Sequence, residues 1–450
     1  MGGGIAGLAA AYELHTRGVA FRLFERAARP GGVIFTDRVG GFTIDAGPDA
    51  LLIQKPAAVS LCREIGLGGQ LLPTKRPRTA YIIRDGRLHP LPESSVLGIP
   101  RDVRALATTR LFSLAGKARM AAELFVPAAR ANGDESIASF IGRRFGSEAV
   151  TYLAEPLLAG IHAGDVNRLS MRGLFPRFME AERRHGSVLR AFRQLRHPAM
   201  RSGDGAFYSL PGGLVELVDA LLAALPPRAL RLGVAVDRIA PNGPHLVQTA
   251  EGEVRARSVI LTTPAYVAAG LVGGFDQPLA ALCHDVQYAS SATIALGYRR
   301  EDIGHSLRGS GFVVPRVEKT TIMAASWVSS KWPDRAPEGH VLLRAFIGGA
   351  RDPGAMARSD EDLRLAAEYE LGQILGISGP PLLTRLYRWE RANAQHEVGH
   401  LDRMAAIEQR LAAWPGLYVT GSGFRGVGIP DCIADARSTA ASAAKFLSDR

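Results

Sequence analysis

The chain opens on MGGGIAGLAAAYELHTRGVAFRLFERAARPGG, in which Gly2, Gly4 and Gly7 match a G-x-G-x-x-G loop. No other feature constrains the fold as much. Such a loop turns the chain from a buried strand into a helix whose N-terminus faces a pyrophosphate. Ile5–Leu14 is rich in Ala and Leu, which predicts that helix, and Gly7, Ala10 and Ala11 are small enough to pack it closely on a sheet. Gly18 is placed to end it in a left-handed conformation. VAFRLFE then predicts a second strand closed by Glu25, eighteen residues after Gly7. An acid there accepts hydrogen bonds from a ribose 2′-hydroxyl and disfavours a 2′-phosphate, so NADP is not expected. One part is lacking. A strand averages about 5–6 residues, and Met1 alone precedes the loop. The expectation is a chain without the first, central strand of its parallel sheet, through a start assigned too late. Upstream translation should then read as a short Val/Ile-rich run, and an in-frame stop directly before Met1 would contradict this. No spare strand with a suitable connection is evident elsewhere.

The 450 residues, 47% hydrophobic and 22% charged, are enough for two or three globular domains. A net charge of +11 favours anionic partners such as phosphates, acidic lipids or a polycarboxylate. The cations are scattered, no basic run reaches five residues, and aromatics are 7%, so nucleic acid is not expected. Cys62, Cys283 and Cys432 are far apart, which points to a reducing compartment without disulfides or a zinc site. No basic segment followed by an apolar core opens the chain, so a cytoplasmic location is expected. The uncharged stretch Ser258–Phe275 contains Thr262, Thr263, Pro264 and several glycines, and reads as a buried strand plus turn rather than a membrane span.

After Glu25 come Arg29-Pro30-Gly31-Gly32 and Asp45-Ala46-Gly47-Pro48. This second set of glycines resembles the flavin amine oxidase superfamily, which binds FAD. The fold class expected is α/β: a Rossmann-like FAD-binding domain, a mixed α+β substrate domain and a helical insert. Residues 1–75, 205–285 and 386–450 read as the discontinuous FAD-binding domain. Residues 76–94 and 286–385 read as the substrate domain, with strands in SATIALGYRR and HVLLRAFIGG. In the second FAD-domain piece, Pro211-Gly212-Gly213 opens a helix and Val234 and Val236 lie on a short strand. Residues 95–204 read as helical. There Leu111, Leu114, Ala118, Ala121 and Phe125 recur on one face, accompanied by Arg101, Arg104, Arg110, Lys117, Arg119 and Arg130. That face fits either packing within its own domain or peripheral contact with an anionic membrane.

More specifically, EPLLAGIHAGDVNRLSM, FYSLPGGLVELVDAL, WVSSKWPDRAPEGHVLLRAFIGGARDP and GSGFRGVGIPDCI resemble the oxygen-dependent protoporphyrinogen oxidases, including relatives that oxidise coproporphyrinogen III. LPESSVLGIPRD belongs to the same set, and the resemblance runs over nearly the whole chain. It implies FAD contacts at Gly2, Gly3, Gly4, Ile5, Ala6, Gly7, Glu25, Arg26, Val33, Gly47, Pro48, Asp49, Ala50, Val236, Val427, Gly428 and Ile429. It implies a porphyrinogen substrate, O2 as acceptor and H2O2 as product, with the inner membrane face and other haem-pathway enzymes as contacts. No catalytic residue is assigned, because the cofactor carries the redox chemistry. His162, His396 and His400 are candidate proton acceptors. Two departures from the family pattern stand out. RANAQHEVGH replaces a Pro-Gln-Tyr run, and Ala80 precedes Tyr81 where some members place an Arg that clamps a propionate, with Arg78 and Arg84 nearby. The rival readings are a flavin amine oxidase or polyene desaturase, and an FAD-binding porphyrin carrier.

Overall fold

The computed structural model describes residues 1–91, 95–96, 99–100, 103–129, 133–194, 205–241 and 243–449. Arg101, Arg130, the side chain of Arg104 and part of the LPESSVLGIPRD block lie outside these.

The helix expected after the phosphate loop runs from Ile5 to Thr16, and Gly18 follows it with φ +69°. Its residues Ile5–Ala11 are all buried. Such a helix must be covered on every side. Helices Val215–Ala224 and Ile429–Ser448 flank it and share its core through Leu217, Leu221, Ile433, Ala436 and Ala440. The runs of Ala let these helices approach closely.

Beneath them lie two parallel strand pairs: Leu23–Glu25 with Leu230–Leu232, and Val259–Leu261 with Leu417–Val419. Met1 and Gly2 stand between the pairs. Gly2 N donates to Phe24 O at 2.8 Å, the Met1 amine donates to Ile260 O at 2.8 Å, and Thr262 N donates to Met1 O at 2.9 Å. These two residues carry the bonds that join the halves, at the position where the sequence reading places a central strand.

The second body is a seven-stranded, mainly antiparallel sheet in the order 383–395, 287–299, 340–348, 322–327, 311–313, 80–84 and 87–90. One face carries the helix Asp360–Leu375, started by Ser359, whose hydroxyl accepts from Asp362 N. Leu363, Ala367, Leu371 and Leu375 pack there on Ile294, Leu296 and Leu343. On the other face Ala289, Met323 and Phe346 meet Ala159 and Ala163, which belong to and follow the helix Glu155–His162.

The third body is helical, built on Phe140, Phe145, Leu158 and Phe178. Here the expected face is corrected. Leu111 is fully buried, whereas Leu114 and Phe125 are 84% and 86% exposed, with Ala118 and Ala121 also exposed. The 3.6-residue repeat is real, but Leu111 precedes the helix Leu114–Ala121 and turns inward. The basic accompaniment thins as well. Lys117 donates to Ala107 O, and Arg119 to the carbonyls of Arg143 and Arg144. Two smaller corrections follow. Ser258–Phe275 is a strand followed by a helix, Ala265–Val272, because AYVAAGLV after Pro264 favours helix over turn. Val234 lies just before the strand Val236–Pro241 instead of on it. No helix among the described residues is long and apolar enough to cross a membrane.

Candidate functional site

The phosphate loop is built as its glycines require. Gly2 has φ +100°, and a Cβ on Gly7 would lie 1.8 Å from Gly2 O, so only glycine lets the helix sit this close to the loop. A Cβ on Gly4 would meet nothing within 4 Å, which leaves the mouth of the loop open. Glu25 ends the neighbouring strand. Its Oε2 accepts from Gly3 N at 2.6 Å and its Oε1 from Ala27 N at 2.8 Å. Each carboxylate oxygen keeps a further lone pair for a ribose hydroxyl. Gly233 N and Val234 N donate to Ala27 O and Glu25 O, which brings half-buried Val236 toward the same end; Arg26 beside it is exposed.

From there the loops line up. Gly31 N donates to Gly3 O, and a Cβ on Gly32 would be 3.3 Å from Gly4 Cα. Val33 is 41% exposed, and its carbonyl would meet a Cβ on Gly47 at 2.0 Å. Pro48 and Ala50 continue this edge half-buried. On the other side, Gly421 approaches Ala6, and Val427 and Gly428 lead into the helix at Ile429. The sequence-derived residues thus form one track, from Val236 and Glu25 through the phosphate loop to Gly47–Ala50 and Val427–Ile429.

Asp49 differs in kind. Its carboxylate accepts from Lys331 Nζ at 2.8 Å and Trp332 Nε1 at 3.0 Å, and Arg344 lies 3.3 Å away. Burial alone would raise this acid, but Lys331 and Arg344 hold it well below the usual carboxylate range. Its side chain therefore ties the loop to the seven-stranded sheet, and its backbone is what the track presents. Arg344 also donates to Asp45 O and, at 2.9 Å, to Gly47 O; Trp389 donates to Ala46 O at 3.0 Å.

The three histidines separate. His396 and His400 stack at 3.8 Å between ring centres, 13° from parallel. Their Nε2 atoms lie 2.9 Å from Ser422 O and 2.6 Å from Phe424 O. A carbonyl partner requires a donor, so Nε2 carries the proton in both rings. Burial, then the neighbouring His400, pushes His396 down to about 3. The pair holds the 422–424 loop. His162, half-buried at a helix end, is pushed down to about 4 by burial and then by Lys55, which pairs with Asp431 at 2.6 Å. Gln395 donates to His162 O and fixes its backbone.

A family profile described as flavin containing amine oxidoreductase matches residues 5–444. The chain belongs to that family. It is 35% identical to the coproporphyrinogen III oxidase of Bacillus subtilis (strain 168), over 99% of this chain and 97% of that one. It is 31% identical to the enzyme of the same name from Staphylococcus aureus (strain NCTC 8325 / PS 47), over 98% and 97%. A crystal structure from Exiguobacterium sp. 255-15, named "putative protoporphyrinogen oxidase", superposes with a TM-score of 0.88 at 32% identity, covering 99% and 98%.

Membership makes this an FAD oxidoreductase, and the residues present fit that cofactor. The glycine cradle at Gly4 is open, while Gly7 and Gly47 let the helix and the 47–50 loop sit against Gly2 O and Val33 O. Other residues of the site carry weaker sequence signals. Arg29 donates to Gly32 O and Ile34 O and stacks on Phe35, which splints the 31–34 loop. Lys331, Arg335 and Arg344 sit inside a block already noted, and an Arg within the apolar run VLLRAF is the clue that was there to read. Neither clamp candidate near Tyr81 stands alone: Arg84 stacks on Tyr152 and donates to Leu111 O, and Arg78 donates to Thr74 O. A surface cleft of about 490 Å³ lined by Trp414, Tyr418, Arg425 and Phe446 shares no residue with the track.

Proposed function

We propose that this chain is a coproporphyrinogen III oxidase that uses O2. The observation that carries the reading is convergence. The EPLLAGIHAGD, WVSSKWP and GSGFRGVGIPDC blocks are remote in sequence, yet the first carries His162, which feels the charges of Lys55 and Asp431, the second clamps Asp49, and the third leads into the helix that starts at Ile429. Relatives that match this chain over nearly their whole length carry that name.

FAD, when bound, accepts the electrons of three successive two-electron oxidations and passes them to O2, giving H2O2. The protein supplies the rest. The Ile5 helix N-terminus and its glycines hold the pyrophosphate, and Glu25 the ribose. Ala159, Ala163, Ala289, Met323 and Phe346 pack the helix Glu155–His162 on the sheet and so fix the place of His162. His162, kept neutral by burial and Lys55, takes a pyrrole N–H proton at its free ring nitrogen as each bridge is oxidised. The excess of cations suits the four propionates of coproporphyrinogen III. Turnover of coproporphyrinogen III and protoporphyrinogen IX, measured side by side in air by porphyrin fluorescence, tests the reading. A kcat/KM at least about tenfold higher for coproporphyrinogen III is expected; the reverse preference overturns it.

The same reading places the protein peripherally on an anionic membrane in the cytoplasm. Support comes from Leu114 and Phe125, which project from the helical body with Ala118 and Ala121 on the same side.

A further inference from the structure

Three cations and two carboxylates are buried where the seven-stranded sheet meets the 45–50 loop. The side chains of Arg335 and Asp45 are 0% and 1% exposed, those of Arg344 and Asp49 4% and 11%, and that of Lys331 14%. Asp45 sits 3.3 Å from Arg335 and also accepts from Thr36 and Leu214 N. Asp49 is shared by Lys331, Trp332 and Arg344. With both acids ionised the cluster carries three positive charges against two negative, a net +1. Burial pushes Asp45 up, which can only increase that excess.

A buried excess charge is costly unless something answers it. Among the described residues Arg344 Nε, Arg335 Nε and Arg335 Nη1 are buried without an acceptor, against one cluster acceptor, Asp45 Oδ2, without a donor, so donors are in excess. The Arg344 guanidinium lies against the ring of Phe346 at 4.9 Å, and Phe346 belongs to the apolar wall between sheet and helix. Little water screens the charge there, so it acts over a longer distance than a surface cation. Arg344 also holds two successive parts of the cofactor track through Asp45 O and Gly47 O.

We propose that this cluster sets the electron affinity of the flavin bound along Gly47–Ala50, with Arg344 as the positioning residue that pins the loop and contributes to the cluster's net positive charge. A reduced flavin is more negative than an oxidised one, so a fixed positive field under the loop favours the reduced state. The proposal rests on the reading of Gly47–Ala50 as a cofactor contact.

The test is an equilibrium redox titration of the FAD-loaded protein against a dye of known potential, for wild type, Arg344→Gln, Arg344→Lys and Asp49→Asn. Arg344→Gln should favour the oxidised state about tenfold more, a fall of about 30 mV for a two-electron couple. Arg344→Lys loosens the same carbonyl contacts but keeps the charge, and should recover most of that fall. Asp49→Asn removes a negative charge and should move the potential upward. If Arg344→Gln does not fold, Asp49→Asn carries the test, with a potential expected above those of wild type and Arg344→Lys. Potentials that stay put, or that move the same way in Arg344→Gln and Asp49→Asn, overturn the proposal. Gly47→Ala separates the two layers, read by FAD titration of apoprotein. Its Cβ must displace the loop from Val33 O, so FAD affinity should fall at least about tenfold. Unchanged affinity means the cofactor reading itself has failed, and the proposal with it. Lost affinity with unmoved potentials in the charge variants means that the proposal alone has failed.

Discussion

Glu25 does two things with one carboxylate. It ties Gly3 and Ala27 together through their N–H groups, and in the proposed function its remaining lone pairs receive a ribose hydroxyl. Glu25→Ala should weaken FAD binding by about 1.5–3 kcal/mol, or about one to two decades in affinity, in a titration of apoprotein. Unchanged affinity would remove Glu25 from that role. His396 makes a pH prediction. Its folded value of about 3 lies below the ordinary 6.5, so the unfolded chain takes up a proton that the folded chain refuses. Stability is therefore complete above about pH 6.5 and declines as pH falls toward 3, by about 2 kcal/mol at pH 5 from this group. Thermal melts at pH 7 and pH 5 should show a drop in Tm for wild type and a shallower one for His396→Gln; equal slopes would contradict it. Glu25 was legible in the sequence because its spacing from Gly7 is local. The partnership of Arg344 with Gly47 was not, since the two are 297 positions apart and nothing in either neighbourhood names the other.

Helices and strands show the same division. The Ile5–Thr16 helix and its glycine stop could be read directly, because Ala, Leu and Gly preferences act within a turn or two. The helix Leu114–Ala121 could be read as periodic, but periodicity does not say which side is covered. Packing decides that, and here it buries Leu111 while leaving Leu114 and Phe125 in solvent. If this face meets lipid, the wild-type protein should co-sediment with anionic vesicles. Replacing Leu114 and Phe125 together by Ser should lower the vesicle-binding constant at least about a hundredfold at low salt, since each lost side chain is worth about 1.5–3 kcal/mol of burial. Binding that is equal in both proteins would leave that face without a membrane role. Strands at Leu23–Glu25, Val259–Leu261 and Leu417–Val419 were visible in the sequence, whereas Leu230–Leu232 was not, and the junction of the two pairs through Met1 and Gly2 is where the loop's geometry and the expected central strand meet.

At the scale of the whole molecule, the 45–50 loop and the seven-stranded sheet are tied into one unit. The sheet contributes Arg344 and Trp389 to hold the 45–50 loop, and the segment that leaves the strand Ile322–Trp327 contributes Lys331 and Arg335. This coupling is why the family blocks are scattered along the chain: each is a local patch of one shared surface. The fold class was legible because the glycine loop admits few architectures. The order of the seven strands was not, since it depends on pairings such as Gly311–Val313 with Ala80–Ile82 that no local pattern specifies. The central claim is that this chain takes electrons from a porphyrinogen through FAD. Anaerobic mixing of the FAD-loaded protein with coproporphyrinogen III, followed by the flavin's visible absorbance, tests it most directly. The account predicts that the flavin bleaches as porphyrin appears and recovers when air is admitted. A flavin that stays oxidised under excess porphyrinogen would contradict it.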